Sequence, residues 1–256
     1  MLEGEQTLSL SHYLCPKIDG QVVNVINKPQ AMQLIALRIV ENKGFTFFTL
    51  NLDHLVKRRH HQPFSLAYHA CDFVCADGFP IVWLSRLKGI HIEKATGADM
   101  LRPVCRLAAD LNKSIFFFGS TDHSLRKATD QLRREFPTLQ IAGCCSPPMD
   151  FASYSAESDS FGEEIAKSGA SLCFVLLGAP KQELFAYRQS KRFPNIGFLC
   201  FGAAADFVSQ EQKRAPLFLQ KLNLEWAWRL MINPRRLAGR YLSCAFLFVQ
   251  LLFQKS

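Results

Sequence analysis

The sequence predicts an α/β protein with a Rossmann-like, mainly parallel sheet, helices on both faces and a helical C-terminal appendage. Short runs rich in Phe, Val, Ile and Leu recur along the chain and are too short for helices, which is typical of buried strands. Segments with helical periodicity separate these runs, as in parallel βαβ units. No strand candidate follows residue 212, so residues 1–212 are predicted to form the α/β core and residues 213–256 the appendage.

The predicted strands and helices alternate through the core. The strand runs, such as FTFFTL, SIFFF and LCFVLL, occupy residues 21–26, 45–50, 73–76, 114–118, 139–142, 172–177 and 196–201. Amphipathic patterns between them predict helices at residues 29–42, 53–61, 79–88, 98–111, 123–136 and 161–167. A further helix is predicted to begin at Pro180, because proline suits a first helical turn. The polar segment 146–160, with two prolines, is predicted to be a loop.

The charge of the chain points toward anionic partners. The formal net charge is +8, concentrated at residues 57–59, 126–134 and 213–240. Phosphorylated substrates, nucleic acid and an anionic membrane surface would all suit such a balance. Nucleic acid is disfavoured, because the sequence contains no recognisable nucleic-acid-binding module. An oxidoreductase is also disfavoured, because the glycine fingerprint of dinucleotide-binding proteins is missing.

The cysteines and the N-terminus predict a cytoplasmic protein without a metal centre. The nine cysteines include no CxxC pair and are interpreted as small buried hydrophobic residues in a reducing compartment. No Asp-x-Asp motif, the commonest sign of a metal-held nucleotide sugar, occurs in the chain. The N-terminal residues are polar where a signal peptide would need an apolar stretch. We therefore expect no metal, no cofactor and no export.

Polar residues follow several predicted strands, at the sheet edge where open α/β proteins bind ligands. Asp77 follows the apolar run 73–76 and precedes a helix, so it could act as a general base, a sugar ligand or, most commonly, a helix N-cap. Thr49 and Asn51 close the strand before it, and Gln182 follows the run 172–177. Gly119 opens a small-residue turn before a helix, where backbone N–H groups could bind an anion.

The C-terminal segment combines arginines with an apolar stretch. Pro234 begins a predicted helix in which Arg236 and Arg240 share one face. That face is either simply solvated or directed at a diphosphate, which guanidinium groups bind through paired hydrogen bonds. Residues 241–253 are almost entirely apolar, yet too few to span a bilayer, which needs about 20 residues. They are expected to pack in the core, to pair with another subunit or to anchor the protein on a membrane surface.

Several separated motifs together resemble the WecG/TagA/CpsF glycosyltransferase family. They are TLN at residues 49–51, ADG at 76–78, GAPKQE at 178–183, RAP at 214–216, LEWAWRL at 224–230 and the arginine-rich segment 234–241. The resemblance covers nearly the whole chain, from about residue 22 to residue 241. GAPKQE and the C-terminal block are its most specific parts.

The resemblance implies an inverting, metal-independent hexosyltransferase of bacterial surface polysaccharide biosynthesis. Such an enzyme transfers glucose, N-acetylmannosamine (ManNAc) or its uronic acid (ManNAcA) from a UDP-sugar to a polyprenyl-diphosphate-linked sugar. It works peripherally on the inner face of the cytoplasmic membrane, which its appendage contacts.

The resemblance also implies roles for particular residues. Asp77 corresponds to the catalytic base, and Thr49, Asn51 and Gln182 correspond to polar residues of the active site. The appendage would supply arginines to the site, at positions that Arg229 and Arg236 match. Lys94 stands where an arginine is usual, Asn223 stands where a glycine precedes LEW, and Gly239 stands where a third arginine is common.

The residues suit this chemistry. Inverting transfer needs a base for the acceptor hydroxyl and positive charge for the departing UDP. Asp77 can supply the first, and Lys94, Arg229, Arg236 and Arg240 can supply the second. The alternative is a non-catalytic basic protein that binds a membrane surface or nucleic acid, which would leave the convergence of polar residues unexplained.

Overall fold

The computed structural model describes residues 15–212 and 215–253, without the side chains of Leu217, Lys221 and Arg236. The polar N-terminus, residues 1–14, and Arg214 of the RAP motif lie outside the described residues. Within them the fold is α/β, with one six-stranded parallel sheet flanked by helices and a long C-terminal helix.

The sheet is built from strands that are buried along most of their length, apart from the edge strand at residues 140–145, which is partly exposed throughout. Its strands are β3 (Phe45–Leu50), β4 (Phe73–Ala76), β5 (Ser114–Gly119), β6 (Gln140–Cys145), β7 (Leu172–Leu176) and β8 (Gly197–Cys200), in the spatial order β4-β3-β8-β7-β5-β6. All neighbouring pairs are parallel. The carboxyl ends of the strands therefore meet at one edge, as predicted for a ligand site.

A short hairpin replaces the first predicted strand. β1 (Lys17–Ile18) pairs with β2 (Gln21–Val22) in antiparallel fashion, so the prediction of a strand over residues 21–26 was wrong beyond Val22. The side chain of Asn24 donates to the carbonyl of Asp72 and accepts from the N–H of Val74. Side-chain bonds therefore take the place of a backbone ladder here, and only Val25 forms a bridge to the sheet.

Alternate residues of each strand supply two hydrophobic cores, one on each face of the sheet. One core takes Phe48, Phe118 and Phe198, and the other takes Phe47, Phe117 and Phe174. The helices that cover the two faces are α1 (Lys28–Val40), α2 (Leu52–His60), α3 (Gln62–His69), α4 (Phe79–Leu87), α5 (Gly97–Asp110), α6 (Asp122–Glu135), α7 (Ala156–Lys167), α8 (Lys181–Arg192) and α9 (Ala204–Val208).

Three helices differ from the prediction. α3 and α9 were not expected, and α7 begins at Ala156, inside the predicted loop 146–160. Ser155 caps α7 by accepting a hydrogen bond from the N–H of Ser158. His61 caps α3 in the same way, because its ring nitrogen accepts from the N–H of Phe64. These capping groups begin helices that the hydrophobic pattern of the sequence did not indicate.

The C-terminal segment is helical, as predicted, with α10 (Leu217–Lys221), α11 (Glu225–Ile232) and α12 (Pro234–Phe253). α12 packs against α2 and α4, with Leu247 buried and the ring of Phe248 5.3 Å from that of Trp83. Its other side exposes Leu242, Phe246 and Phe253. No helix in the described ranges is long and apolar enough to cross a membrane.

Candidate active site

Asp77 and Asn51 meet because β3 and β4 are adjacent and in register. Leu50 pairs with Ala76, so the next residue of each strand lies at the same sheet edge. The backbone N–H of Asp77 donates to the carbonyl of Leu50 over 2.8 Å. The side chain of Asn51 lies next to the carboxyl group of Asp77 and lowers its pKa as a hydrogen-bond donor. The TLN and ADG motifs therefore form one polar pair.

The orientation of the Asn51 side chain is fixed because it also caps a helix. It is the N-cap of α2, and its Oδ1 accepts from the N–H of His54 over 3.1 Å. Because that bond uses the amide oxygen, the NH₂ end is left to face Asp77. The same Nδ2 lies 3.4 Å from Nε2 of His54.

His54 itself is buried beneath the pair. Its Nδ1 lies 2.8 Å from the carbonyl of Thr49 and 2.7 Å from the hydroxyl of Tyr68. Burial lowers the pKa of His54 to about 4, so the ring is neutral at neutral pH. A neutral ring adds no positive charge below Asp77 and serves as a hydrogen-bonding support for the TLN segment.

Asp77 does not cap the helix that follows it. The N-cap of α4 is Gly78, which has a φ of 107° and makes no side-chain capping bond. Only glycine adopts such a φ without strain. This excludes the most common alternative interpretation of Asp77, and it leaves the carboxyl group available to the cavity beside it.

Several groups set the pKa of Asp77 in opposite directions. Burial raises the pKa above its ordinary value, and the negative charges of Glu225 and Asp99 add to that rise. The positive charge of Arg229 and the hydrogen bond from Asn51 lower it. Burial has the largest effect, so the carboxylate holds a proton more readily than an exposed aspartate does. This is the environment of a general base rather than of a surface carboxylate.

A cavity of about 420 Å³ lies over Asp77, between the sheet edge and helices α11 and α12. Its polar wall includes Asn51, Asp53, Asp77, Lys94 and Arg229. Its apolar wall is formed by side chains of α4 and α12, namely Phe79, Pro80, Tyr241, Cys244, Ala245 and Phe248. The cavity thus offers a charged region and a hydrophobic region side by side, and it exists only where the C-terminal helices meet the sheet.

Three of the predicted cations line this cavity. Lys94 donates to Oδ1 of Asn223 and to Oε1 of Glu225, each over 3.4 Å. The guanidinium of Arg229 lies 5.6 Å from the ring centroid of Phe207. Arg240 forms an ion pair with Asp53 over 3.1 Å. The backbone of Arg236 belongs to α12, and its side chain lies outside the described residues.

Three predicted site residues, Thr49, Gln182 and Gly119, do not line the cavity. Thr49 is buried in β3, where its carbonyl binds His54 and Tyr68. Gln182 is buried at the start of α8, where Nε2 donates to Glu183 over 2.8 Å and Oε1 accepts from the N–H of Gly202 over 2.9 Å. Its amide therefore holds two loops of the sheet edge together. Contact of Thr49 and Gln182 with substrate stays a prediction.

Gly119 ends β5 with a φ of 116°. A Cβ atom there would lie 2.6 Å from the backbone carbonyl of Leu176, so only glycine fits. In the turn that follows, Thr121 caps α6 by accepting from the N–H of Ser124. The close approach of two strands thus explains why glycine is required at this position. The predicted contact of this turn with an anion stays a prediction.

Asp53 and His54 were not predicted as site residues, yet they lie beside Asp77 and Asn51 and support the site. They follow Asn51 by two and three residues, but an acidic residue in a first helical turn indicates little more than a favourable helix dipole. Asn223 has a φ of 59°, a conformation in which asparagine is the usual substitute for glycine. An asparagine before LEW could have indicated a turn. The hydrogen bond from Lys94 to Asn223, in contrast, could not have been predicted from the sequence. Among the described residues, no cluster of three or more His, Cys, Asp or Glu side chains is placed to hold a metal ion.

Comparison with known proteins identifies the family. The family model described as the glycosyl transferase WecG/TagA/CpsF family matches residues 16–256. An N-acetylglucosaminyldiphosphoundecaprenol N-acetyl-beta-D-mannosaminyltransferase of Bacillus spizizenii is 29% identical over 197 residues, which cover 77% of this chain and 74% of that protein. The enzyme of the same name from Bacillus subtilis is 30% identical over 166 residues, which cover 64% of this chain and 62% of that protein, less than two thirds of its length. The match over nearly the whole chain shows that this protein belongs to the WecG/TagA/CpsF family of glycosyl transferases.

Proposed function

We propose that the protein is an inverting glycosyltransferase that moves ManNAc from UDP-ManNAc to N-acetylglucosamine (GlcNAc) on a polyprenyl diphosphate. The observation that carries this proposal is the pairing of Asp77 with Asn51 in a cavity that has both cationic and apolar walls. The named activity of the two Bacillus relatives supports the choice of sugars. No cofactor or metal is needed in this scheme.

Asp77 is proposed to act as the general base. Its carboxylate takes the proton from the acceptor hydroxyl while that oxygen attacks the anomeric carbon of the donor sugar. The bond from the anomeric carbon to the UDP oxygen breaks, and UDP leaves with the bonding electron pair. One displacement from the opposite side inverts the anomeric centre. A carboxylate with a raised pKa is the better base, because proton affinity closer to neutrality favours the transfer.

The cations of the cavity are proposed to stabilise the departing UDP. Arg229 lies close enough to Asp77 for its charge to lower that carboxyl's pKa, and Lys94 lines the same wall. Positive groups fixed in a partly enclosed site stabilise developing phosphate charge more strongly than solvent does. The apolar wall is proposed to receive the first isoprene units of the acceptor.

The C-terminal helix is proposed to lie on the inner face of the cytoplasmic membrane. The exposed residues Leu242, Phe246, Val249 and Phe253 recur at helical spacing on α12. An apolar stripe next to basic residues is typical of helices that lie in the interface of an anionic membrane. The division into a core at residues 1–212 and an appendage at 213–256 remains part of this proposal, and a homo-oligomer that covers the stripe is the alternative.

The test is UDP release by the purified protein with a short-chain polyprenyl-diphosphate GlcNAc acceptor. UDP-ManNAc, UDP-ManNAcA and UDP-glucose are compared as donors, and the anomeric configuration of the product is determined by NMR. We expect release that depends on the acceptor, is fastest with UDP-ManNAc, gives an inverted product and is insensitive to EDTA. Absence of turnover with every pair would favour a non-catalytic membrane-surface protein instead.

The first variant to test is Asp77→Asn. It keeps the shape of the side chain and removes the base, so we expect turnover to fall by about 10²- to 10⁴-fold, the usual contribution of a general base. UDP-ManNAc binding, measured by calorimetry, should persist. Asp110→Asn, at an exposed aspartate at the end of α5, is the matched control. Near-normal turnover of Asp77→Asn would refute the assignment.

A further inference from the structure

We propose that Asp53 is a positioning residue that holds Arg240 in place for the diphosphate of the lipid-linked acceptor. The inference rests on the proposed function and deepens it, because it assigns one cation of the cavity to one of the two substrates. Asp53 lies in the first turn of α2, two residues after Asn51, and lines the cavity.

The carboxylate of Asp53 joins two cations from different elements. Its Oδ2 lies 2.6 Å from Nζ of Lys57, one turn along α2, and 3.1 Å from Nη2 of Arg240 on α12. The Asp53 side chain is only 10% exposed, whereas that of Arg240 is 41% exposed. The pair is therefore shielded at the carboxylate and accessible at the guanidinium.

Lys57 extends this connection to the GAPKQE segment. Its Nζ also donates to the carbonyl of Ala179 over 3.0 Å. Asp53 thus links α2, the loop before α8 and the C-terminal helix through a single carboxylate. The group of one anion and two cations keeps a net positive charge at this side of the cavity.

The position of Arg240 indicates the acceptor. In a lipid-linked sugar the diphosphate separates the sugar from the apolar chain, so its cation must lie between the base and the apolar wall. Arg240 lines the same cavity as the base and adjoins the apolar wall, because Tyr241, Cys244 and Phe248, on the same and following turns of α12, form that wall. Arg229 lies over Phe207, beyond the end of β8, and carries the charge that acts most strongly on Asp77. We therefore place the acceptor diphosphate at Arg240 and the donor diphosphate at Arg229.

Arg240 would bind a diphosphate more tightly if a partner already held its side chain in place. A long side chain that is partly exposed loses conformational freedom when it binds a ligand, and this loss weakens binding. The ion pair to Asp53 engages Nη2 beforehand, and a guanidinium has five N–H donors, so others can meet phosphate oxygens. Asp53 is not expected to touch the substrate, because like charges would repel.

The experiment measures how tightly the full chain binds two probes, farnesyl diphosphate and UDP, by calorimetry. For Asp53→Asn, we expect the Kd for farnesyl diphosphate to rise by about ten- to a hundredfold, the range for one hydrogen bond to a charged group. The Kd for UDP should stay within about twofold, because Arg229 and Lys94 are unaffected. A merely structural role for Asp53 would weaken both probes alike.

A double-mutant cycle tests whether Asp53 acts through Arg240. Arg240→Gln alone should raise the Kd for farnesyl diphosphate by a similar factor and should fold, because Asp53 keeps Lys57. The double variant Asp53→Asn/Arg240→Gln should be no weaker than the worse single variant. Asp53→Glu, which keeps the charge, should recover most of the loss. Asp159→Asn, which breaks the ion pair to Arg188 outside the cavity, is the matched control.

Each result decides the inference. Selective weakening of farnesyl diphosphate with a non-additive cycle supports it, and an equal effect on UDP or fully additive losses overturn it. If Asp53→Asn does not fold, Arg240→Gln and Asp53→Glu give the same comparison. A wild-type protein that ignores farnesyl diphosphate also overturns it. A wild-type protein that binds the probe but transfers no sugar refutes the proposed function alone.

Discussion

Asn51 shows how one side chain can serve the fold and the site at once. Its amide oxygen caps α2 and its amide nitrogen is directed at Asp77, so a helix start fixes the orientation of the proposed base. A substitution that kept only one of these bonds would leave the amide free to rotate. The N-cap and the proposed catalytic pair are therefore constrained together.

The charge of Arg229 should be visible in the pH dependence of transfer. Asp77 must be deprotonated to act, so kcat/KM should fall as pH falls through its pKa, which burial raises. Arg229 lowers that pKa, so Arg229→Gln should raise it and move the acidic limb to higher pH. The measurement is kcat/KM against pH for both proteins, with Arg188→Gln as the control. A limb that stays in place or moves to lower pH would contradict the role of Arg229.

At single residues, the sequence predicted only part of the cavity lining. Asp77, Asn51, Lys94, Arg229 and Arg240 all line the cavity. Thr49 of TLN and Gln182 of GAPKQE form their bonds inside the protein instead, because the alternation of a strand and the first turn of a helix decide which side is buried. A motif indicates that the residue types in a segment are restricted. Only the folded arrangement shows which of those side chains contact neighbouring loops and which face the cavity.

At the scale of elements, the central strands were the easiest to predict. β3 and β4 occupy the predicted residues, because continuous apolar runs of that length have no stable alternative to a buried strand. The start of α7 and the whole of α3 were missed, since Ser155 and His61 supply capping bonds that a polar composition conceals. The extent of β2 was overestimated, because Asn24 competes with the ladder through its side chain.

Helix α8 carries a buried carboxyl group that should make stability depend on pH. Burial raises the pKa of Glu183 from 4.5 to about 7. Between these values the unfolded chain loses the proton that the folded protein retains, so stability is full below pH 4.5 and falls as pH rises through about 7. We expect the loss to be about 3 kcal/mol, at 1.36 kcal/mol for each pH unit.

The variant Glu183→Gln should remove this dependence. The glutamine side chain has no proton to lose. The free energy of unfolding of the variant, relative to that of wild type, should therefore be higher at pH 8 than at pH 5. Denaturant titrations of both proteins at the two pH values measure the difference, in which other titrating groups cancel. Glu164→Gln, at an exposed position of α7, should show no such change. Equal differences at both pH values would show that Glu183 is ionised when folded.

For the whole molecule, basic charge and exposed apolar surface act together at α12. Leu242→Ser/Phe246→Ser should weaken binding to anionic phospholipid vesicles by at least about tenfold, because each buried large apolar side chain contributes about 1.5–3 kcal/mol. Vesicle sedimentation at two salt concentrations measures this. Leu37→Ser/Val40→Ser, at exposed residues of α1, is the matched control. Unchanged vesicle binding together with a smaller mass by light scattering would instead identify the stripe as a subunit interface.

The parts of the site lie far apart along the chain, so they are synthesised at different times. Asn51 and Asp77 leave the ribosome well before Arg229 and Arg240, which lie much further along the chain. A nascent chain that ends near residue 212 would hold the proposed base and Lys94 without either arginine, and without the apolar wall of α12. Such a chain could not assemble the cavity. The site can therefore form only after α12 has been made.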